Sequence, residues 1–312
     1  GHVYGQLSTL DQIKAGARVE VNEDKKDPRD LALWKFSKLE DKRHMEWDSP
    51  WGRGFPGWHI ECSAMSIKYL GEQFDIHIGG EDLRSTHHPN EIVQSEVATG
   101  KVPFVKYWLH GAFLLIDGGR MGKSLGNAYT VKDVVDRGFS PMALRYFYLT
   151  GHYRKQLNFT WEGLEAASKA LDGLYEKAEV FGIGEMNEEN VTVKTKEILN
   201  KFNKALEEDL NLPMALGIVH EGITNSQNSN DLMYLLSKVD LVLGLDLVNV
   251  GKERFRENQE QNEMFGELLR KRDEFRKNKQ WDEADKIRVE IESQGYEIED
   301  SPAGVRVKRK IS

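Results

Sequence analysis

The chain has little cysteine and no long apolar run. Cys62 is the single cysteine of 312 residues, so no disulfide forms within the chain, and this favours a reducing compartment, the cytoplasm. No apolar stretch approaches the ~20 residues of a membrane span, and no secretory leader is visible. The first residue is Gly1 rather than Met, which we expect of a processed chain or of a piece of a longer one.

The chain also lacks a basic excess. Its net charge is −8, which argues only weakly against nucleic-acid binding, because acidic proteins bind RNA through local basic patches. A mass of 35.8 kDa exceeds one typical core and predicts two or three domains.

The first part of the chain, residues 1–135, has the pattern of an α/β layer. Phe74–Ile78 predicts a buried strand that ends in a tight turn at Gly79 and Gly80. Pro89 suits the first turn of the next helix, and Gly100 is expected to end it.

Helical patterns dominate from Thr130, whose spacing to Asp133 is typical of a capping box. Residues 136–250 predict an antiparallel bundle, and residues 251–312 a small α+β module. The expected helices begin at Ser140-Pro141 and after Thr160, then cover 192–209, 213–224 and 231–243. The expected module has a linker at 246–252, a charged helix over 254–276, a helix over 281–293 and a hairpin over 296–309.

Three residues have the donor atoms of a mixed zinc site. His87 and Glu91 are four residues apart, so one helical turn aims both side chains at one point, and Cys62 adds a thiolate. A thiolate ligand favours zinc over magnesium or calcium. The alternative is that Cys62 is a small buried apolar residue and that His87 and His88 are ordinary polar residues.

A glycine-rich loop over Arg120–Asn127 carries the two cations Arg120 and Lys123, with Ser124 beside them. Such a loop is able to close over a polyphosphate and stabilise developing charge. The alternative is a solvated surface loop. The spacing of a Walker A loop is absent.

Two further features each allow two interpretations. Trp58 and His59, close to Cys62, form either a small-ligand pocket or part of the core. The C-terminal module contains a run of basic residues that form either a solvated face or an RNA-binding surface, namely Arg270, Lys271, Arg272, Arg276, Lys277, Lys279, Arg306, Lys308, Arg309 and Lys310.

Together these motifs resemble the cysteinyl-tRNA synthetases, a family of class I aminoacyl-tRNA synthetases. The resemblance rests on segments spread over nearly the whole chain: Tyr4–Ser8, Asp27-Pro28 with Leu33–Lys35, Gly57–Met65, Asp75–His77 with Gly79-Gly80, Asp82-Leu83 and His87–Glu91, Arg120–Asn127, Gly151–Arg154 with Gln156–Asn158, and Trp281 with Glu283–Arg288. Arg120–Asn127 is similar to the Lys-Met-Ser-Lys-Ser loop, with Arg120 in place of the first lysine and Gly122 in place of the serine.

The resemblance implies a fold and an activity. The fold is the C-terminal part of a class I Rossmann-type catalytic domain, followed by an α-helical bundle and a small α+β module. The activity is ATP-dependent formation of cysteinyl-adenylate and transfer of cysteine to the cysteine tRNA, with ATP and its magnesium as substrate. The expected protein is a monomer that works without a membrane.

The resemblance also implies roles for single residues. Cys62, His87 and Glu91 would bind a zinc ion that selects the substrate thiol. Trp58, His59, His77 and Asp82 would line the cysteine and nucleotide pocket. Arg120, Lys123 and Ser124 would act on the ATP phosphates, with Lys123 and Ser124 as catalytic residues. The C-terminal module would read the anticodon.

The chain departs from the family at further positions, since Ser85-Thr86 stand where Phe-Pro is common and Pro89 stands where an acidic residue is common. The larger departure is an absence. The His-Ile-Gly-His motif and the cysteine that supplies a fourth zinc ligand are missing, so we expect an N-terminally truncated synthetase that is inactive alone. Two alternatives remain open. One is the related ligase that joins cysteine to an amino sugar in mycothiol synthesis, although the segment Trp281–Lys310 favours the synthetase. The other is a non-catalytic fragment that binds tRNA or zinc.

Overall fold

The computed structural model describes residues 30–38, 40, 43–181, 186–226, 228–301 and 304–309. The chain divides into two compact units. Unit 1 comprises Gly1–Arg120 and Tyr153–Asn158, and unit 2 comprises Met121–His152 and Phe159–Ser312. Within the described ranges, no helix combines the length and the apolar character that crossing a bilayer requires.

Two segments of the family resemblance, Tyr4–Ser8 and Asp27-Pro28, lie outside the described residues. The domain boundaries predicted near residues 135 and 250 stay predictions.

Unit 1 is built from short strands and two helices. In chain order they are β1 (Trp34–Phe36), β2 (Gly54–Pro56), α1 (Trp58–Leu70), β3 (Phe74–Gly80), α2 (His87–Thr99), β4 (Val105–Gly111), β5 (Leu114–Ile116), β6 (Gly119–Arg120) and β7 (Leu157–Phe159), whose last residue belongs to unit 2.

The strands β3 and β4 pair in parallel, with His77 opposite Trp108 and Gly79 opposite His110. Helix α2 connects them, since parallel neighbours need a crossover of this kind. The helix ends at Gly100, which has a φ of 70°, as predicted. The predicted turn was placed too early: pairing with β4 holds Gly80 in the strand, and the turn follows at residues 81–86.

One face of this sheet is apolar and exposed. Ile76, Ile78 and Tyr107 are 57%, 67% and 66% exposed. The prediction of a buried strand is therefore wrong for this face, while His77 on the opposite face packs against His88 of α2.

Unit 2 begins with three helices, α3 (Val131–Asp136), α4 (Pro141–Leu149) and α5 (Trp161–Phe181). Thr130 and Asp133 form the predicted capping box of α3, and Ser140 caps α4. Thr160 accepts a hydrogen bond from the N–H of Gly163 at the start of α5. These predicted starts are confirmed, because each needs only a hydroxyl or a carboxylate at a fixed offset.

A bundle follows, formed by α6 (Val193–Glu207), α7 (Leu212–Asn225), α8 (Ser229–Leu243) and α9 (Leu247–Met264) together with α5. Its core consists of fully buried leucines, among them Leu164, Leu232, Leu235, Leu236 and Leu243.

The linker predicted at residues 246–252 is wrong, because α9 begins at Leu247. Gly251 lies so close to α5 that a Cβ there would be 2.7 Å from the Cβ of Ala178. Leu247 is fully buried. Packing of α9 on α5 makes the segment helical. The charged helix predicted over 254–276 is in fact two helices, because it is interrupted at Phe265, which is 2% exposed and packs into the next core.

The C-terminal module contains α10 (Gly266–Lys277), α11 (Trp281–Ser293) and an antiparallel hairpin of β8 (Tyr296–Ser301) and β9 (Gly304–Arg309). Phe265, Ile287, Ile291, Ile298 and Val307 form its small core. The predicted bounds of α11 and the hairpin are confirmed. A parallel βαβ unit, a helical bundle and an α+β module together confirm the predicted fold class.

Candidate metal centre

The candidate centre lies in unit 1, where the first turns of α1 and α2 face each other. Cys62 lies one turn after Trp58 on α1, and Glu91 lies one turn after His87 on α2. Because α1 and α2 pack together, one ligand atom from each of Cys62, His87 and Glu91 lies within 4.8 Å of the other two. The structure therefore brings the three predicted zinc ligands to one point.

The junction before α1 depends on Gly57. A Cβ there would collide with the carbonyl oxygen of Ala32, so only glycine admits this close backbone approach. The N–H of Gly57 donates to the carbonyl of Leu33, 2.9 Å away. These contacts fix the residue that directly precedes Trp58.

Glu91 is the most unusual residue of the centre. Its side chain is 0% exposed, and neither carboxylate oxygen accepts a hydrogen bond from any residue that the structure describes. Nε2 of His87 lies 2.9 Å from Oε1 without hydrogen-bond geometry, and Nε2 of His77 lies 3.7 Å from Oε2. Burial raises the pKa of Glu91 to about 8. An isolated buried carboxylate is costly, and a cation bound there would offset that cost.

Five histidines surround this carboxylate in two linked pairs and one single ring. Nδ1 of His59 lies 2.6 Å from Nδ1 of His87, and Nδ1 of His88 lies 2.8 Å from Nε2 of His110. Burial, followed by the charge of His87, lowers the pKa of His59 to about 4; burial, followed by the charge of His77, lowers that of His88 to about 3. The pKa values of His77, His87 and His110 are also lowered, mainly by burial. The rings are therefore neutral at pH 7, the state in which imidazole binds metals.

Cys62 is half-buried, and its thiol has a pKa that is raised first by burial and then by the charge of Glu91. Without a cation it is a thiol rather than a thiolate. A sulfur, an imidazole nitrogen and a carboxylate oxygen are all donors that zinc accepts, and three protein ligands with one open position are typical of zinc centres that bind a substrate. The residues present therefore fit a zinc ion.

Other predicted site residues of unit 1 lie around this centre. Trp58 is 55% exposed, stacks on His59 and has its ring 4.5 Å from that of His87. His77 stacks on Trp108 with ring centroids 4.7 Å apart. Asp82 follows β3, and its charge acts to raise the pKa of His87 against the larger effect of burial.

The boundary between the two units falls within the predicted phosphate loop, after Arg120. Arg120 ends β6 in unit 1, and Lys123 and Ser124 belong to a short 3-10 turn over Lys123–Leu125 in unit 2. Lys123 and Ser124 are exposed. The N–H of Gly122 donates to the side-chain oxygen of Asn127, 2.9 Å away, which closes the turn. The catalytic roles of Lys123 and Ser124 stay predictions.

Sequence reasoning gave no role to His88 and missed His110 and Trp108. A signal was present, since Trp108 and His110 alternate with Tyr107 and Leu109 in a strand-like segment. Their place next to the centre depends on the parallel register with β3, which the sequence does not state.

Comparison with known proteins shows which family the chain belongs to. Residues 1–169 match the family described as the class I (C) catalytic domain of tRNA synthetases. The chain is thus a class I aminoacyl-tRNA synthetase by its catalytic-domain sequence, with the fold described above.

Curated relatives narrow this class. Proteins named cysteine–tRNA ligase from Thermodesulfovibrio yellowstonii and Brachyspira hyodysenteriae are each 41% identical to this chain. The matches cover 99% and 98% of this chain, and 69% and 68% of the two relatives. The chain belongs to the cysteine–tRNA ligase family.

Among solved structures, the ternary complex of Agrobacterium radiobacter K84 agnB2 LeuRS with tRNA and LeuAMS is similar at 14% identity. Its TM-score is 0.47, over 66% of this chain and 33% of that one. This likeness does not bear on the family assignment, which rests on the sequence relatives.

Proposed function

We infer that this chain carries the amino-acid-selecting zinc centre of a cysteine–tRNA ligase, with Cys62, His87 and Glu91 as protein ligands. The carboxylate of Glu91 is the observation that carries this proposal, because it is fully buried, has no hydrogen-bond donor and lies beside a thiol and an imidazole. Zinc accepts all three donor types. The relatives' names supply cysteine and tRNA as substrates.

The proposed reaction has two steps. A carboxylate oxygen of cysteine attacks the α-phosphorus of ATP and pyrophosphate leaves, which gives cysteinyl-adenylate. A hydroxyl of the terminal ribose of the cysteine tRNA then attacks the acyl carbon, and AMP leaves. Zinc, when bound, prefers a thiolate sulfur to a hydroxyl oxygen, which distinguishes cysteine from serine.

The surrounding side chains bind and orient the substrate. Trp58 and His59 are stacked next to His87, so they would form a wall of the cysteine pocket. The neutral ring of His77 would be a second wall, held by Trp108. Asp82 would bind the nucleotide as a hydrogen-bond acceptor, which suits a ribose hydroxyl better than a phosphate.

The phosphates of ATP, with magnesium, would be bound by cations of the glycine-rich loop. The exposed ammonium of Lys123 would stabilise negative charge on the departing pyrophosphate, with Ser124 and Arg120 beside it.

The bundle and the C-terminal module would contact the tRNA. Several basic side chains of α10 are paired with acids one turn away, including Lys271 with Glu267 and Lys277 with Asp273. Such pairs neutralise the helix face, so the basic hairpin end is the better candidate for contact with the anticodon loop.

The sequence contains no His-Ile-Gly-His motif. Because that motif binds ATP in the family that the chain resembles, we expect these 312 residues alone not to catalyse ATP–pyrophosphate exchange with cysteine. A robust exchange rate would contradict this expectation.

The zinc proposal has a test that does not need turnover. The chain is loaded with cobalt(II), freed of unbound metal, and titrated with cysteine and with serine. Cobalt bound by Cys62 gives a thiolate-to-metal charge-transfer band in the near ultraviolet, and a second thiolate from cysteine is expected to strengthen it. Serine has no thiol and leaves the band unchanged.

Two variants make this test specific. Cys62→Ala removes the thiolate and is expected to abolish the band of the cobalt-loaded chain. His44→Ala changes an exposed histidine of the same unit and is expected to leave the band and the cysteine response intact. A wild-type chain without a thiolate band, or with equal responses to cysteine and serine, would contradict the zinc proposal.

A further inference from the structure

A second group of metal-binding side chains shares Glu91 with the zinc centre. One ligand atom from each of His77, His88 and Glu91 lies within 4.8 Å of the other two. The group contains no sulfur. His88 and Glu91 are 1% and 0% exposed, and His77 is partly buried.

The two oxygens of Glu91 face different partners. Oε1 lies 2.9 Å from Nε2 of His87, whereas Oε2 lies 3.7 Å from Nε2 of His77. Within the described part of the chain, neither oxygen accepts a hydrogen bond. One carboxylate therefore presents one oxygen towards His87 of the first group and the other towards His77 of the second group.

The ring of His88 is oriented for such a role. Its Nδ1 lies 2.8 Å from Nε2 of His110, the kind of partner that fixes the tautomer and ring angle of a metal-binding histidine. His59 stands in the same relation to His87, at 2.6 Å. Each of the two neighbouring histidines of α2 thus has its own histidine partner.

Gly79 makes the space that His88 occupies. It lies two residues from His77 on the same face of β3, and a Cβ there would be 2.7 Å from Nε2 of His88. With Nδ1 engaged by His110, Nε2 is the nitrogen that remains for an ion, and it points to the strand that carries His77.

We propose that His77, His88 and Glu91 form a second, thiol-free metal seat that binds a divalent transition ion independently of Cys62. Two imidazoles and a carboxylate suit zinc, cobalt, nickel or iron and do not suit magnesium or calcium, which prefer oxygen ligands. This seat goes beyond the zinc centre proposed above, and it would bind metal whether or not the chain is a ligase.

Cobalt(II) is the probe that separates the two seats. The Cys62→Ala variant is loaded with cobalt and freed of unbound metal, and the bound cobalt per chain is then measured by mass spectrometry. We expect about one cobalt per chain, with weak visible bands and no thiolate charge-transfer band. The first seat, by contrast, requires that band in the wild-type chain, so failure of one proposal is distinguishable from failure of the other.

Two further substitutions are added to Cys62→Ala. His77→Phe keeps a ring to stack on Trp108 but removes both nitrogens. His88→Asn keeps a donor near the position of Nδ1, so contact with His110 is preserved while Nε2 is removed. Each is expected to lower the cobalt affinity at least tenfold, whereas adding His44→Ala leaves it unchanged. Far-ultraviolet circular dichroism confirms that the variants are folded.

Two results would overturn the proposal. In the first, folded Cys62→Ala chain retains no cobalt, which means that a single seat needs the thiol. In the second, its cobalt survives both His77→Phe and His88→Asn, which means that the ion is bound elsewhere.

Discussion

Replacing Asp300 with asparagine is expected to loosen the C-terminal module. The carboxylate of Asp300 accepts hydrogen bonds from Nη1 and Nη2 of Arg272 at 2.9 and 2.8 Å, and Nη1 of Arg276 lies 2.6 Å away. Arg272 is only 5% exposed. Asp300→Asn keeps the size of the side chain but leaves a buried guanidinium without its hydrogen-bonded carboxylate, and this pair is one of the contacts between β8 and α10.

The size of the effect follows from burial. Removing one partner of a fully buried ion pair costs about 3–5 kcal/mol. The side chain of Asp300 is 36% exposed, so water screens part of the interaction. We expect a loss of about 2 kcal/mol, which corresponds to a roughly 30-fold rise in the population of the opened module.

Hydrogen exchange of α11 measures this opening directly, because Ile287 and Ile291 of that helix lie in the core of the module. Amides around them are expected to exchange about 30-fold faster in Asp300→Asn. Asp273→Asn is the matched control, since Asp273 pairs with Lys277 on the exposed face of α10. That exposed pair is worth about 0–1 kcal/mol, so exchange changes less than about fivefold.

A double variant tests the cause. Adding Arg272→Met to Asp300→Asn removes the unpaired buried charge and is expected to restore much of the protection. Wild-type exchange rates in Asp300→Asn would refute the reasoning. The reasoning would also be refuted if the double variant lost as much protection from exchange as Asp300→Asn and Arg272→Met lose separately when the two losses are added. The loss would then not come from an uncompensated charge.

The same ion pair sets the response of the module to acid. Hydrogen bonds from Arg272 hold the pKa of Asp300 well below its ordinary value of 3.8. A carboxyl with a lowered folded pKa contributes stability that is complete above its unfolded pKa and is lost as the pH falls through the folded pKa. Protection of α11 is therefore expected to be constant near pH 5 and to fall below about pH 4, and Asp300→Asn removes this contribution.

Two further predictions concern the metal centre. Gly79→Ala places a methyl group against His88, which should cost about 1–3 kcal/mol of stability and weaken cobalt binding at the thiol-free seat. Gly111→Ala, at the matching end of β4 with open space around it, is the control in thermal unfolding and cobalt titration. Zinc binding at pH 7 is expected to release protons, because Glu91 has a pKa of about 8 and the pKa of the Cys62 thiol is raised. Calorimetry in buffers of different ionisation enthalpy counts these protons, and a buffer-independent heat would contradict the assignment of these ligands.

Local signals in the sequence predicted much of the fold. Thr130, Ser140 and Thr160 were read correctly as helix starts because a cap depends on residues only two or three positions away. The region around Leu247 was read wrongly as a linker, because its helix is stabilised by packing against Ala178, some seventy residues earlier in the chain. Contacts between residues so far apart in the sequence leave no pattern among neighbouring residues.

The candidate site shows the same division. The i,i+4 spacing of His87 and Glu91 predicted that both side chains would converge, and the structure brings Cys62 to them. The role of His110 was not predictable, since it reaches His88 only through the parallel register of β3 and β4. The two ligands on one helical turn were predicted from their spacing, whereas Trp108 and His110, which the pairing of β4 with β3 brings to the site, were not.

The exposed face of β3 and β4 has a practical consequence for the behaviour of the protein in solution. Parallel strands are ordinarily covered on both faces, whereas Ile76, Ile78 and Tyr107 present a contiguous apolar surface to solvent. Such a surface promotes self-association at high concentration and in strongly salting-out buffers. These side chains point away from the histidines. We therefore expect Ile78→Thr, which makes this face less apolar, to raise the solubility limit of the protein without changing its metal ligands.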